Sequence, residues 1–205
     1  MAPILFNQFR SVITSPLISI FCKKFEEKDM QLKKSIETSI GTVLIGIENI
    51  LDNTLLYDKI IEYITITEFY KTIEYEKGTL SSINYSFEQE GNKPLNLIFS
   101  NKKDRISEMI SNEVGVKSNT AESILNFAVM LILSHLKTEK IEPKNIQNTL
   151  DAEKNTILNS IPDGIRVILG YANHEPENRI CSDIDPFSRS TIKFHILEKI
   201  KKIKF

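Results

Sequence analysis

GNKPLNLIFSNKKDRISEMISNEVGVKSNTAESILNFAVMLILSHL, residues 91–136, decides the fold. Asp104 is placed to cap a helix that carries Ile106, Met109, Ile110 and Val114 at the spacings of one helix face. Gly115 stands where a left-handed C-terminal cap is expected. Asn119 is placed to cap the next helix, and Glu122 three positions on completes a capping-box-like pair. That helix runs through Ile124, Phe127, Ala128, Leu131 and Leu133 to about Lys137. Its apolar run, 124–136, is interrupted by Asn126 and Ser134 and falls short of the roughly 18 residues of a membrane span. It reads as a buried core helix.

Downstream, Pro143 opens a helix with Ile146, Leu150, Ile157 and Leu158 as its stripe. Pro162 opens a short apolar helix over 163–169, and Gly170 closes it. Upstream, Leu32, Ile36, Ile40, Val43, Ile47 and Ile50 line one face of a helical pattern over 26–52, widened by Leu44 and Leu51. Gly41 and Gly46 lie inside it, each costing about 1 kcal/mol against alanine. Keeping them there implies either close helix approach or a break near Gly41. Over 54–92 the signals conflict: Leu55, Leu56, Ile60, Ile61 and Ile64 continue a helical stripe, whereas 63–75 is rich in strand-favouring residues. Helix is the favoured reading, because a lone hairpin is marginally stable. Residues 39–47 and 160–170 share a Ser–Ile start, a small-residue break and an apolar run, by duplication or by chance.

The first 25 residues make a poor secretory signal. Pro16 and Ser19 interrupt the apolar stretch 12–21, Arg10 is the lone early positive charge, and Phe21 precedes Cys22 where a lipoprotein signal has a small residue. An N-terminal helix or irregular arm is expected. The resulting organisation is an arm or helix at 1–25, a helical domain at 26–172, and a polar loop with a basic tail at 173–205. The class is all-α, a compact bundle of roughly seven to nine helices.

The chain has 205 residues, 41% hydrophobic and 26% charged, with a net charge of -1. That supports a real hydrophobic core and excludes a chain-wide electrostatic footprint for nucleic acid. Cys22 and Cys181 are too few for a disulfide framework, so a reducing compartment is the simpler reading. Ile, Asn and Lys are abundant together, the pattern of AT-rich codons, so a lysine alone is weak evidence of a binding surface.

No His–Glu–x–x–His, paired Cys–x–x–Cys or P-loop spacing occurs. His135 ends the most apolar helix and reads as a core or capping residue; His174 and His195 fall in the polar C-terminal part. The densest polar cluster is His174, Glu175, Glu177, Cys181, Asp183 and Asp185. Its spacing matches neither a zinc site nor an EF-hand, and it reads as a solvated loop. Acidic pairs such as Glu26–Glu27 and Glu74–Glu76 read as exposed faces. In the tail, Ile192, Ile196, Ile200 and Ile203 share one face. Lys193, Lys199, Lys201, Lys202 and Lys204 supply charge that suits an anionic membrane surface or an acidic partner, or simply solvates a packed helix. Aromatic interleaving is nearly absent there, which disfavours single-stranded nucleic acid.

Three ordered segments resemble a bacterial family, the YidB-like proteins of domain-of-unknown-function family 937. They are LKKSIETSIGTVLIGI at 32–47, the opening quotation at 91–136, and LDAEKNTILNSIPDGIRVILG at 150–170. Together they span about residues 26–170. Relatives often carry Pro where Gly41 stands and a Gly-rich middle where this chain has 63–86. Some carry an OmpA-like peptidoglycan-binding domain, in place of which this chain has a short basic tail. The resemblance implies an all-helical fold and brings no catalytic residue, cofactor or metal.

The leading expectation is a non-enzymatic interaction or scaffold protein that binds a protein partner or itself. One alternative is a small-molecule-binding or enzymatic helical domain with a pocket lined by Tyr63, Phe69, Tyr70, Tyr75 and Tyr85. A second is a peripheral membrane protein acting through the tail. The expected compartment is the cytoplasm, with envelope association as the alternative.

Overall fold

All thirteen residues from Ile124 to Leu136, the polar Asn126, Ser134 and His135 included, are buried in the computed structural model of the chain, so this stretch of helix is enclosed on every side. The structure describes residues 5–71, 73–76, 79–138 and 143–172. In chain order these form α1 (Leu5–Ser11), α2 (Ser15–Phe25), α3 (Asp29–Ile50), α4 (Thr54–Ile66), β1 (Ile73–Glu76), β2 (Thr79–Ile83), α5 (Phe87–Glu90), α6 (Asn92–Phe99), α7 (Lys103–Val114), α8 (Ser118–Thr138), α9 (Pro143–Ser160) and α10 (Asp163–Leu169). Single 3₁₀ turns sit at Phe69–Lys71 and Ser100–Lys102. This is the all-α multi-helix bundle expected from the sequence. Among the described residues, no helix is long and apolar enough to cross a membrane.

α8 is the axis of the fold, touched by α3, α4, α5, α6, α7 and β1. α3 is its principal neighbour, and all six residues of the predicted α3 stripe are buried. α3 runs unbroken through both of its glycines, so close approach, not a helix break, accounts for them. A Cβ on Gly41 would come within 2.8 Å of Ile161 and 3.2 Å of Ser160, beside α9. One on Gly46 would meet the Phe99 ring at 2.4 Å and Ile98 at 2.6 Å, on α6. Residues 39–47 thus lie inside one long helix, whereas 160–170 form a turn and a separate short helix. The apparent sequence echo does not extend to local structure.

Helix ends follow the sequence in part. Gly115 and Gly170 adopt φ of 77° and 100° and cap α7 and α10, as their positions predict. Pro143 and Pro162 stand at the starts of α9 and α10. The predicted N-caps differ. Asp104 lies in the first turn of α7, whose cap is Lys102, because the preceding 3₁₀ turn already winds the chain. Asn119 and Glu122 lie inside α8, and Glu122 accepts a 3.1 Å contact from Lys103 instead of closing a capping box.

Two further regions are decided by the structure. Of the two N-terminal alternatives, helix and irregular arm, the described residues take the helix. They form α1 and α2, whose Phe6, Phe9 and Phe21 are at most 1% exposed. Pro16, which argues against a signal peptide, is an early-turn proline of α2, and Thr14 caps that helix. Within 63–86, helix ends at Ile66, and β1 and β2 pair as an antiparallel hairpin. Ile73 is opposite Ile83 and Glu76 opposite Thr79, with an irregularity between Glu74 and Tyr75. The argument against a lone hairpin does not apply, because β1 lies against α8 and two strands packed on a helix need not stand alone.

Candidate functional site

At the carboxyl end of α3, three ionisable side chains from separate parts of the chain converge. Glu48 accepts from Lys154 of α9 at 2.7 Å through Oε1, and from the Tyr171 hydroxyl at 2.8 Å through Oε2. The same hydroxyl lies 2.6 Å from Asn49 Oδ1, so its single proton is within reach of two acceptors. Asn49 in turn donates to the carbonyl of Leu169, the last residue of α10, at 3.2 Å. The Lys154 ammonium sits 4.8 Å from the centre of the Tyr171 ring. The cluster is placed by three sequence features: the polar pair Glu48–Asn49 near the end of the α3 stripe, Lys154 beside the apolar face of α9, and the Gly170 turn that delivers Tyr171.

Its electrostatics determine its chemistry. Burial works to lower the Lys154 pKa, but the neighbouring Glu48 carboxylate and Tyr171 hydroxyl outweigh it and hold the amine above its usual range. Burial and the Glu48 carboxylate both push the Tyr171 phenol up, against the smaller opposing effect of Lys154. Both groups therefore stay protonated through neutral pH. A lysine nucleophile or tyrosine base needs the opposite shift. The arrangement acts as a latch that ties the end of α10 to α3 and α9.

The latch makes a prediction with a defined sign. Both pKa values are raised in the folded state, so the folded chain holds more protons than the unfolded chain at high pH. The linked stability is fully present below the unfolded values, near pH 10, and is lost as pH rises through the folded ones. Tyr171→Phe should cost about 0.5–1.5 kcal/mol at pH 7 and flatten the alkaline fall in urea midpoint. A variant with the wild-type alkaline slope would show that the latch does not titrate with the fold.

Other converging polar groups close helix ends. Glu27 accepts from the backbone N–H of Lys117 at 2.8 Å and the Thr120 hydroxyl at 3.2 Å, placing a carboxylate at the start of α8. Gln31 donates to the Gly115 carbonyl at 2.6 Å, joining the same two turns. The Lys137 ammonium donates to the carbonyls of Thr65 and Thr67, at the end of α4. The buried Arg166 guanidinium donates to the Leu158 carbonyl at 3.1 Å, near the end of α9, and pairs with Asp163. Glu153, also buried, accepts the backbone N–H groups of Leu5 and Phe6 at 2.6 and 2.8 Å.

The residues singled out from the sequence fall as follows. His135 is buried with its ring edge-on to Phe9 at 5.1 Å, a core placement. Tyr63 and Phe69 are buried edge-to-face at 6.2 Å, and the Tyr63 hydroxyl donates to the Glu90 carbonyl at 3.0 Å. Tyr85 is exposed, beneath the Lys24 ammonium at 3.8 Å. The side chains of Tyr70 and Tyr75 lie outside the described residues, as do His174, His195, the acidic cluster around Cys181, and the five tail lysines 193, 199, 201, 202 and 204. The Cys22 thiol donates to Asp29 at 2.9 Å, and that carboxylate and burial both push its pKa up, away from the reactive thiolate. Among the described residues, no group of three or more His, Cys, Asp or Glu side chains is placed to hold a metal ion.

The sequence profile of the family described as "Bacterial protein of unknown function (DUF937)" matches residues 7–138, well over half of the chain. The chain belongs to this family. No curated protein and no solved structure matches it. The DUF937 match contains the first two resembling segments whole and begins within α1, so the N-terminal helices that complete the core are part of the family domain. The third segment, 150–170, lies beyond the match and supplies Glu153, Lys154 and Arg166.

Proposed function

We propose that this DUF937 protein is a non-enzymatic interaction or scaffold protein whose working part is the exterior of a firmly fastened helical body. On this reading the helical domain ends near residue 172, and the polar and basic sequence of 173–205 lies outside it. The observation that carries the reading is the Glu48–Lys154–Tyr171 latch, where the amine and the phenol are both held protonated and both join elements far apart in sequence. The exposed face of α4 adds to it: Leu55 and Ile66 stand 75% and 64% exposed at either end of a stripe holding Asp58, Lys59 and Glu62. Native mass spectrometry of the gently purified full-length chain tests the proposal. A multiple of the 23.5 kDa chain, or a co-purifying protein, is the expected result. A retained small-molecule or metal mass would overturn it in favour of a ligand-binding or enzymatic domain.

A second reading, a peripheral membrane protein, rests on the tail sequence, where isoleucines at 192, 196, 200 and 203 alternate with lysines. Salt-sensitive recovery in the membrane fraction, lost on deletion of 191–205, is its expected signature.

A further inference from the structure

The turn from α2 to α3 gathers charge that the fold does not use. Five lysines and three carboxylates lie within residues 23–34. Each carboxylate is engaged: Glu26 faces Lys117 at 3.7 Å, Glu27 sits at the start of α8, and Asp29 accepts from Cys22. Lys24 is engaged too, with Glu88 at 3.0 Å and the Tyr85 ring. Lys23, Lys28, Lys33 and Lys34 are exposed, and among the described residues none of their ammonium groups forms an ion pair or hydrogen bond. Lys28 stands at the N-cap of α3, where the helix dipole disfavours positive charge, so its placement does not serve helix stability.

Apolar side chains stand among these lysines. Met30, Lys33 and Lys34, three and four residues apart, share the outward face of α3, and Met30 is 82% exposed. On α2, Ile20 and Lys23 are likewise three apart, and Ile20 is 41% exposed. A flexible thioether presented to water beside two lysines of the same helix face, with Lys28 and Lys23 nearby in the chain, is the pattern of an interfacial anchor. The apolar group enters the headgroup boundary while the lysines meet phosphates.

We propose that this segment, with Lys23, Lys28, Lys33 and Lys34 and the exposed Met30, docks on an anionic lipid bilayer. This goes beyond the scaffold reading and rests on residues other than those of the tail. An acidic protein would satisfy the lysines but gives no reason for the exposed Met30.

The test is co-sedimentation of the full-length chain with vesicles of phosphatidylcholine alone, or mixed with phosphatidylglycerol. Three variants are compared: Lys33→Glu with Lys34→Glu, Met30→Ser, and a tail control carrying Lys199→Gln, Lys201→Gln and Lys202→Gln. All of the changes in this segment are at exposed positions, so unchanged circular dichroism and melting temperature verify the fold. Binding to the anionic vesicles alone is expected, falling at least about 25-fold in the double charge reversal, from about fivefold per lysine. Met30→Ser should lower it about tenfold. The tail control should retain binding. No binding to anionic vesicles, or a loss confined to the tail control, would overturn the proposal. So would capture by soluble poly-glutamate without vesicle binding, which would make the segment a site for acidic protein.

Discussion

Replacing Phe21 with alanine should destabilise the protein by about 3–5 kcal/mol, as expected for removing a fully buried ring. Phe21 is 0% exposed and forms the centre of an aromatic cluster built by three helices. Its ring meets Phe127 of α8 edge-on at 5.1 Å and 88°, Phe25 of α2 at 5.5 Å, and Phe87 of α5 at 6.3 Å. Truncation would leave a void facing three rings that are themselves fixed by other contacts, including Phe87 against Phe127 at 5.7 Å. Little collapse into that void is available. For a chain of this size the loss corresponds to a melting temperature roughly 6–20 °C lower. Ile20→Ala, one residue away on the exposed side of α2, should stay within about 0.5 kcal/mol. The pair is decisive about the N-terminal segment: an arm lying outside the core would give two neutral substitutions. A Phe21→Ala protein that melts within a degree or two of the wild type would remove α2 from the core.

The same segment shows where the sequence is legible and where it is not. α3, α7 and α9 can be read from apolar periodicity because each buries a stripe written in the order of residues; α8 is legible from the length of its apolar run, and α10 from the Pro162 and Gly170 that bound it. Gly115 and Gly170 are legible because a left-handed backbone position is a local demand. In α1 and α2 the helices are 7 and 11 residues long, too short for periodicity to separate a packed helix from an arm. The hairpin escaped the sequence argument for a different reason. Local propensity favours strand over 63–75, of which only the last three residues fall in β1; the general instability of a lone hairpin weighs against it, but the support comes from α8, far along the chain. Long-range packing decided the outcome, and no window of local sequence contains it.

The polar locks left a fainter trace. Glu153 lies three residues after Leu150 and four before Ile157, on the very face that α9 buries. Arg166 sits among Ile165, Ile168 and Leu169 in the same way. A charge inside an apolar stripe signals a buried partner, because an unpaired one is too costly to bury. The sequence announces that such a partner exists. It does not name it: the partner of Glu153 is a pair of backbone N–H groups nearly 150 residues earlier. Tyr171 has no comparable trace, being one aromatic residue after a glycine turn.

That partnership gives the second large effect. The first N–H groups of a helix have no acceptor within the helix, and α1 buries Leu5 and Phe6, so water cannot satisfy theirs. The Glu153 carboxylate does, with one oxygen for each, and places a negative charge at the positive end of the helix dipole. Glu153→Ala should therefore cost about 2–4 kcal/mol, mainly from two buried donors left without acceptors. Glu153→Gln is not a conservative rescue, because its one carbonyl oxygen can serve one N–H while its amide group turns a donor toward the other. Asp151→Ala, on the exposed side of the same helix, should be nearly neutral. The loss has a location as well as a size: α1 should open first, exposing Leu5, Phe6 and Phe9. Hydrogen exchange read by peptide would then show faster exchange over residues 5–11 in Glu153→Ala, with α8 still slow. Equal protection of α1 in variant and wild type would mean that the apolar face of α1, not the carboxylate, holds it in place.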